Sequence, residues 1–258
     1  MFYIEKLYYS PIKSISFNPC AFLNIKKNIG IENDRRFAFI KKTTNTITDN
    51  IQTNPKKRKI DQFLSLKDYP LLNNFNFYFE KNILILKSNN KVLLKTNIKD
   101  STKIKTLCSK IQNIIGHKNV INLIENSLNP FFDSMIYGKI RKPTISLINI
   151  NSIKDFEKKI CKNIDHKRFR ANIYVSNMKA WEERNLINKT ILINGIKFII
   201  TKEIPRCSVT NLKPNTSNYD MEIPKYLRKF YNNSCLGIYL SPLQNGKIKL
   251  KDKIKIYE

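Results

Sequence analysis

The apolar residues of this chain fall mainly into short segments with the length and the boundaries of β-strands. Residues 2–9 form the first segment, which Ser10-Pro11 ends, and residues 144–150 form another. Residues 190–201 contain Asn194-Gly195, which predicts a hairpin because this pair tolerates the positive φ angles of a tight turn. Further strand-like segments are 21–27, 36–42, 75–79, 82–87, 91–96, 172–175, 235–240, 247–250 and 253–257. Many short strands with few helices predict an α+β fold that is rich in β-barrel structure.

Three segments have helical character instead. Residues 101–115 place apolar side chains at three- and four-residue steps, with Asp100 or Ser101 as the N-cap and Gly116 at the end. Cys108 lies on this apolar stripe, so we predict that it packs in the core. Shorter helices are predicted at 152–160 and from Pro224 to Phe230, since proline is tolerated in the first turn of a helix.

The chain is long enough for two units with cores of their own. Residues 119–143 are polar and rich in turn-forming residues, which predicts a boundary. We therefore expect an N-terminal β-rich unit over residues 1–118 and a second unit over residues 119–258. Within the first unit, segments 21–27 and 36–42 flank the turn signal Asn28-Ile29-Gly30 and are predicted to pair with each other.

The charge is strongly basic, with 47 Lys and Arg against 20 Asp and Glu, a formal net charge of +27. Such a charge is typical of proteins that bind nucleic acid or another anionic surface. Here, however, lysine is spread along the whole chain together with Asn and Ile, as a very AT-rich genome would produce. The longest basic run is Lys56-Lys57-Arg58-Lys59. We therefore do not expect nucleic acid to be a partner, although a nucleic-acid-binding module remains an alternative.

The cysteines exclude several classes of protein. There are five, widely spaced and without a CxxC pair, and the sequence has only two histidines. This pattern excludes a zinc ribbon, a ferredoxin cluster loop and a disulfide framework. We expect no signal peptide, because the N-terminus goes straight into strand-like sequence, and no apolar stretch approaches the roughly 18 residues of a membrane span. We expect a cytoplasmic protein without a membrane partner.

Arginine-bearing phrases at predicted strand ends are the main candidates for function. Cys207 directly follows Arg206 after the apolar segment 190–201, and a neighbouring arginine favours the thiolate, which is a nucleophile and a soft metal ligand. Arg35 and the phrase Arg168-Phe169-Arg170 add planar guanidinium groups suited to phosphate. The combination predicts a soft metal in an anionic, phosphate-bearing cofactor. An activated nucleophilic thiol stays open as the alternative.

These phrases, with others, resemble in order and spacing those of the MOSC-domain family, preceded by its N-terminal β-barrel half. The resemblance is closest to the subgroup of the mitochondrial amidoxime-reducing component and its bacterial relatives, and it covers essentially the whole chain. It is carried by Tyr9-Ser10-Pro11-Ile12-Lys13-Ser14, Gly30 with Asp34-Arg35, Ser146-Leu147-Ile148-Asn149 with Ser152, Arg168-Phe169-Arg170-Ala171-Asn172, Arg206-Cys207 with Thr210 and Pro214, Leu236-Gly237-Ile238-Tyr239, and Gly246-Lys247-Ile248 with Asp252.

The resemblance implies a molybdenum cofactor of the molybdopterin type, bound between the two halves, with Cys207 as the ligand of the metal and the catalytic residue. The implied cofactor-binding residues are Lys13, Ser14, Arg35, Asn149, Ser152, Arg170, Asn172 and Arg206. Two positions depart from the family pattern, since Ala171 stands where proline is usual and Leu236 where phenylalanine is usual. The phrase Trp181-Glu182-Glu183 matches the family's acidic phrase only loosely, so no role is assigned to either glutamate.

The implied function is a reductase that removes oxygen from N-hydroxylated or N-oxygenated small molecules by oxygen-atom transfer. Some bacterial relatives carry a C-terminal iron–sulfur domain, whereas this sequence ends with the strand-like segment 253–257. We therefore expect electrons to come from a separate donor protein. The alternative is a sulfur or molybdenum-cofactor carrier that uses a persulfide on Cys207.

Overall fold

The computed structural model describes residues 2–15, 17–41, 45–133 and 144–257. Strands predominate, as the sequence pattern predicted. The strands are β1 (Phe2–Tyr9), β2 (Asn18–Pro19), β3 (Phe22–Lys26), β4 (Gly30–Ile31), β5 (Phe37–Lys41), β6 (Asn76–Glu80), β7 (Ile83–Ser88), β8 (Lys91–Asn97), β9 (Ile121–Glu125), β10 (Ile145–Asn149), β11 (Ile173–Ser176), β12 (Thr190–Ile193), β13 (Ile196–Pro205), β14 (Cys235–Pro242), β15 (Gly246–Lys249) and β16 (Lys253–Tyr257). The α-helices in these ranges are α1 (Asn45–Thr53), α2 (Ser101–Ile115), α3 (Ile150–Ile160) and α4 (Ile223–Tyr231). None of the helices among these residues is long and apolar enough to cross a membrane.

Seven strands close into a barrel in the order β11-β10-β14-β13-β12-β16-β1, and β1 also pairs with β11 to complete the circle. All neighbours are antiparallel except β10 and β11. Inward side chains alternate with outward ones along each strand, and Ile4, Leu147 and Phe198 are among those that fill the interior. The prediction of an α+β fold rich in β-barrel structure is confirmed.

A small sheet, β15-β3-β4, packs against the barrel core. The side chains Leu23 and Ile248 face inward and belong to the same core as the barrel interior. The predicted pairing of segment 21–27 with segment 36–42 is therefore wrong, because β3 pairs with β15 and β4 instead. The two strands differ in burial, which explains why they do not pair. β3 alternates exposed and buried residues, whereas β5 is buried on both faces and needs partners inside a core.

A second core lies between the β5-β9 pair, the β6-β7-β8 meander and α2, around Phe37, Phe39, Phe77 and Ile111. Strand β9 falls in the segment that the sequence predicted to be only turn-rich, and it pairs with β5 along its full length. The meander was predicted. β9 was missed because polar residues interrupt its short apolar pattern.

Helix α2 agrees with the prediction at both ends. The Asp100 side chain accepts hydrogen bonds from the backbone N–H groups of Thr102 and Lys103, and Gly116 ends the helix in the left-handed conformation. Cys108 is 6 % exposed and packs in the second core, as predicted. The division into two units at residue 118 stays a prediction. Strands β1 and β3 of the first segment pair with strands of the second.

Candidate active site

Cys207 lies at the end of β13, where the strand leaves the barrel. Its side chain is exposed, while its carbonyl oxygen accepts hydrogen bonds from the Thr210 hydroxyl at 2.8 Å and the Thr210 N–H at 3.1 Å. These bonds close a short 3₁₀ turn, Ser208–Asn211. The turn therefore fixes the backbone of Cys207 and leaves its sulfur accessible.

Arg206 anchors this turn to two neighbouring segments. Its Nε donates to the carbonyl of Leu236 at 2.8 Å, and its Nη1 donates to the carbonyl of Phe169 at 2.9 Å. Gly237 makes room for it, since a Cβ at position 237 would lie 3.2 Å from Nη2 of Arg206. Burial lowers the pKa of Arg206. The guanidinium of Arg206 thus holds backbone carbonyls and positions Cys207.

Arg168 fixes the loop that follows Cys207. It is almost fully buried and donates from Nη1 to the carbonyls of Asn211 and Leu212, at 3.2 and 2.9 Å. Its Nη2 forms an ion pair with Asp220 at 2.6 Å. A buried charge needs such partners, because desolvation without them is costly. In the phrase Arg168-Phe169-Arg170, the first two residues therefore support the cysteine turn.

Arg170 has a different environment. It adopts a left-handed backbone conformation, with φ of 53°, that turns it away from the strand it precedes. Its guanidinium lies 5.4 Å from the ring of Phe17, and Arg35 lies 5.7 Å from the same ring. Burial, and secondly the charge of Arg35, lower the pKa of Arg170 to about 10. Two arginines thus share one aromatic ring.

Lys13 and Asp133 complete a group of charges that we call the cation cluster: Lys13, Arg35 and Arg170 around Asp133. Lys13 is buried and forms an ion pair with the Asp133 carboxylate. Burial among protein atoms raises the pKa of Asp133, but the charges of Lys13, Arg35 and Arg170 lower it further, to below its ordinary value. Asp133 and Arg170 both retain accessible surface.

The segment that carries Cys207 adjoins the segment that carries Arg170. The Nη1 of Arg206, the residue before Cys207, donates to the carbonyl of Phe169, the residue before Arg170. Nearby, burial raises the pKa of the Tyr239 phenol, although the charge of Arg206 lowers it.

The Ser10 side chain stabilises the turn that carries Lys13 and Ser14. The Ser10 hydroxyl, buried at the end of β1, is within hydrogen-bonding distance of the carbonyls of Ile12 and Ile15, at 2.7 and 2.6 Å. Ser14 is half-buried and has a φ of 63°. The structure thus places Ser14 beside Lys13, at the edge of the cation cluster.

Asn172 lies behind this region. Its amide Nδ2 donates to the carbonyl of Tyr8 at 3.2 Å and to the Asp34 carboxylate at 3.3 Å. The fully buried Asp34 also accepts from the N–H of Ser10 at 2.7 Å and forms an ion pair with Arg35. Burial raises the pKa of Asp34 although Arg35 lowers it. Asn172 and Asp34 therefore support Arg35.

Asn149 and Ser152 lie at the junction of β10 and α3, in a different group. Asn149 caps α3 by accepting from the N–H of Asn151 at 3.0 Å, and its Nδ2 donates to Glu183 at 3.0 Å. The Ser152 hydroxyl donates to Glu183 at 2.7 Å. Glu183 is fully buried, and burial raises its pKa. Asn149 and Ser152 thus share one buried acceptor, Glu183.

Sequence reasoning gave no role to three residues of the site, which are Asp133, Phe17 and Tyr239. Asp133 follows Pro130-Phe131-Phe132, in which both phenylalanines are buried. Two adjacent phenylalanines before an acid are unusual in a solvated turn. This pattern was the one sequence feature that could have indicated a buried segment next to Asp133. The guanidinium of Arg35 lies 5.8 Å from the Phe132 ring, so this segment contacts the cation cluster through more than Asp133.

The arrangement fits a cofactor that is anionic at one end and carries a soft metal at the other. Lys13, Arg35 and Arg170 supply N–H donors and positive charge, as a phosphate requires. Cys207 supplies an accessible sulfur, which soft metals prefer. Arg170 and Val209 also line a cleft with Phe17 beside the cysteine turn.

The chain is similar to several known proteins. The family model of the MOSC domain matches residues 136–255. Mitochondrial amidoxime reducing component 2 of Rattus norvegicus is 26 % identical over 122 residues, which cover 43 % of this chain and 36 % of the rat protein. Among solved structures, the YuaD protein from Bacillus subtilis is 14 % identical, with a TM-score of 0.47 and coverage of 100 % of this chain and 98 % of that chain. YiiM from Geobacillus stearothermophilus is 14 % identical, with a TM-score of 0.36 and coverage of 44 % and 54 %. The match to the family model agrees with the resemblance found in the sequence, since residues 136–255 are similar to a MOSC domain.

Proposed function

We propose that this protein binds a molybdenum cofactor of the molybdopterin type and that Cys207 ligates the metal. The observation that carries the proposal is the cation cluster beside an exposed thiol. Lys13 pairs with Asp133, and Arg35 and Arg170 share the Phe17 ring. The residue before Cys207, Arg206, donates to the carbonyl of Phe169, directly before Arg170. The MOSC-domain match and the similarity to the rat amidoxime reducing component support the same cofactor.

The charges of the site favour an anionic ligand. Three cations meet two carboxylates there, Asp133 and the buried Asp34. Of these, only Asp133 retains accessible surface. A phosphate would compete with Asp133 for the same three cations, and it would offer more acceptor oxygens for their N–H groups. We therefore assign Lys13, Arg35 and Arg170 to the anionic part of the cofactor, with Ser14 beside them.

The remaining predicted site residues position Cys207, Arg35 and the start of α3. Arg206 and Thr210 hold the cysteine backbone, Asn172 supports Arg35 through Asp34, and Asn149 and Ser152 order the start of α3 through Glu183. When bound, the cofactor supplies a metal that accepts oxygen from an N-hydroxylated or N-oxygenated small molecule. The protein orients the cofactor and balances its charge. A separate donor protein would supply the electrons.

We further propose that the protein acts in a reducing compartment such as the cytoplasm. The five cysteines are free thiols, as that environment requires. The alternative function is a sulfur or molybdenum-cofactor carrier with a persulfide on Cys207. The observation that favours this alternative is the exposure of the Cys207 side chain, which would let an acceptor protein reach it.

The test compares Cys207→Ala with Cys161→Ala, a matched control that removes another exposed thiol, at the end of α3. Each protein is produced in cells that make the cofactor. Molybdenum content, pterin fluorescence after oxidation and reduction of an N-hydroxylated compound are then measured. We expect Cys207→Ala to lose molybdenum and activity and the control to retain both. Full metal and activity in Cys207→Ala would contradict the proposal. A mass increase of one sulfur atom on Cys207, without molybdenum, would establish the carrier instead.

A further inference from the structure

The last part of the chain carries a lysine at every second position, Lys247, Lys249, Lys251, Lys253 and Lys255. In β15 and β16 this period puts the lysines on the outward face, while Ile248 and Ile254 point into the barrel core. The one acid in this stretch, Asp252, is buried and accepts the N–H of Lys249 at 2.8 Å. The outward face of this stretch is therefore basic.

Strand pairing extends this surface across the barrel wall. Lys255 is opposite Leu192 of β12, which is opposite Lys197 of β13, and residues directly opposite each other lie on the same face. We call this surface the lysine face, defined as Lys197, Lys247, Lys249, Lys251, Lys253 and Lys255. Across the residues that the structure describes, no acidic group lies within 4.0 Å of any of these six ammonium groups.

Exposed apolar side chains lie between these lysines. The ammonium of Lys247 is 3.6 Å from the centre of the Phe22 ring, and that of Lys197 is 4.1 Å from the centre of the Tyr257 ring. Leu243 lies next to Lys197, since its N–H donates to the carbonyl of that residue. Leu250 joins β15 to β16, and it is exposed like the two rings and Leu243. The face thus combines positive charge with exposed apolar surface.

We propose that the lysine face binds the surface of an anionic lipid membrane. Charge complementarity requires a polyanionic partner. Lipid headgroups attract lysines, and the boundary between headgroups and acyl chains accepts aromatic and aliphatic side chains together. Single-stranded nucleic acid fits less well, because its bases stack on free aromatic faces. Here ammonium groups cover the rings, and Leu243 and Leu250 have no ring at all.

The lysine face is remote from Cys207 along β13. Lys197 is near the start of this strand and Cys207 is two residues past its end, ten residues further along. At about 3.3 Å per residue, they are separated by roughly 30 Å. We therefore expect docking through the lysine face to leave Cys207 uncovered. This peripheral binding differs from our expectation of no membrane partner, which rested on the absence of a membrane-spanning segment.

The test is sedimentation of the purified protein with vesicles of phosphatidylcholine, with and without phosphatidylglycerol. We expect binding only to the anionic vesicles, and weaker binding at higher salt. The variant Lys249→Gln/Lys253→Gln/Lys255→Gln should bind about a hundredfold more weakly, at roughly fivefold for each lysine near the surface. The control Lys81→Gln/Lys91→Gln/Lys95→Gln removes the same charge from exposed positions of the β6-β7-β8 meander. It should change binding by less than about threefold.

Three results would overturn the proposal. The first is no binding of the unmodified protein to anionic vesicles. The second is an equal loss in both triple variants, which would show that net charge alone drives binding. The third is binding of single-stranded polynucleotide that the first triple variant abolishes while vesicle binding remains unchanged. The double variant Leu243→Ser/Leu250→Ser keeps the charge, and unchanged vesicle binding by it would remove the apolar part of the proposal.

Discussion

Replacing Asp220 with asparagine should destabilise the loop that follows Cys207, because Asp220 is the only carboxylate that the Arg168 guanidinium contacts within the described residues. The Arg168 side chain is 4 % exposed and that of Asp220 is 36 % exposed. Loss of one partner from a fully buried ion pair costs about 3–5 kcal/mol. Here water reaches Asp220, and two backbone carbonyls still accept from Arg168. We therefore expect a loss of about 2 kcal/mol, near the value of one charged hydrogen bond.

The assay is urea unfolding at neutral pH, supported by thermal unfolding. A loss of about 2 kcal/mol corresponds to a decrease in Tm of roughly 4–8 °C for a chain of this size. The matched control is Glu222→Gln, two residues further along. Glu222 forms a 2.9 Å ion pair with Lys225 in which both side chains are more than half exposed. Exposed ion pairs contribute little, so the control should leave the Tm unchanged.

The pH dependence provides a second check. The hydrogen bond from Arg168 lowers the pKa of Asp220 below its ordinary value. A carboxyl with a lowered pKa in the folded state stabilises the protein fully above its unfolded pKa of about 3.9, and this contribution is lost as the pH falls through the folded pKa. The difference between the unmodified protein and Asp220→Asn should therefore disappear in acid. Equal stability at neutral pH, or a difference that persists unchanged in acid, would refute the reasoning.

Three further predictions concern other parts of the molecule. Gly237→Ala should lower the free energy of unfolding by about 3 kcal/mol or more, because a Cβ there would lie 2.6 Å from a backbone carbonyl and the residue has positive φ. Gly195→Ala, whose Cβ would meet nothing within 4 Å, should cost only about 1 kcal/mol in the same urea assay. Glu183→Ala should cost about 2–3 kcal/mol, since it leaves a buried amide and a buried hydroxyl without their shared acceptor. Arg170→Gln should reduce pterin retention at least about tenfold, the loss expected for one charged contact; retention equal to that of the unmodified protein would contradict its assignment to the cation cluster.

Local features of the fold could be predicted from the sequence, and strand partners could not. Segment 2–9 and helix α2 have the predicted bounds because Ser10-Pro11 and Gly116 end them through backbone constraints of their own. The partner of β3 was predicted wrongly, because strand pairing depends on which faces are buried in the finished core. That information is distributed over residues far apart in the chain, such as Phe22 and Lys249.

The candidate site shows the same limit. Cys207 and its arginines could be proposed because the thiol and the cation that favours its thiolate are adjacent in the sequence. Asp133 could not be proposed from the sequence, because its role depends on three cations that are many residues away in the chain. The buried Glu183 received no role from the sequence, although it accepts hydrogen bonds from both Asn149 and Ser152. Side chains that act through a buried partner have no short sequence pattern.

The closure of the barrel has a consequence for how the chain acquires its structure. β1 is synthesised first, yet it pairs with β11 and, through Phe2 and Ile254, with β16 near the end of the sequence. During translation at roughly 5–20 residues per second, β1 therefore waits many seconds until its partners β11 and β16 have been made, with only Tyr8 and Tyr9 able to pair early, with β2. Contacts between such distant residues also make folding slow. We expect the nascent protein to depend on chaperones that cover an apolar strand, and a chain that stops before β16 to aggregate through the open edge of β1.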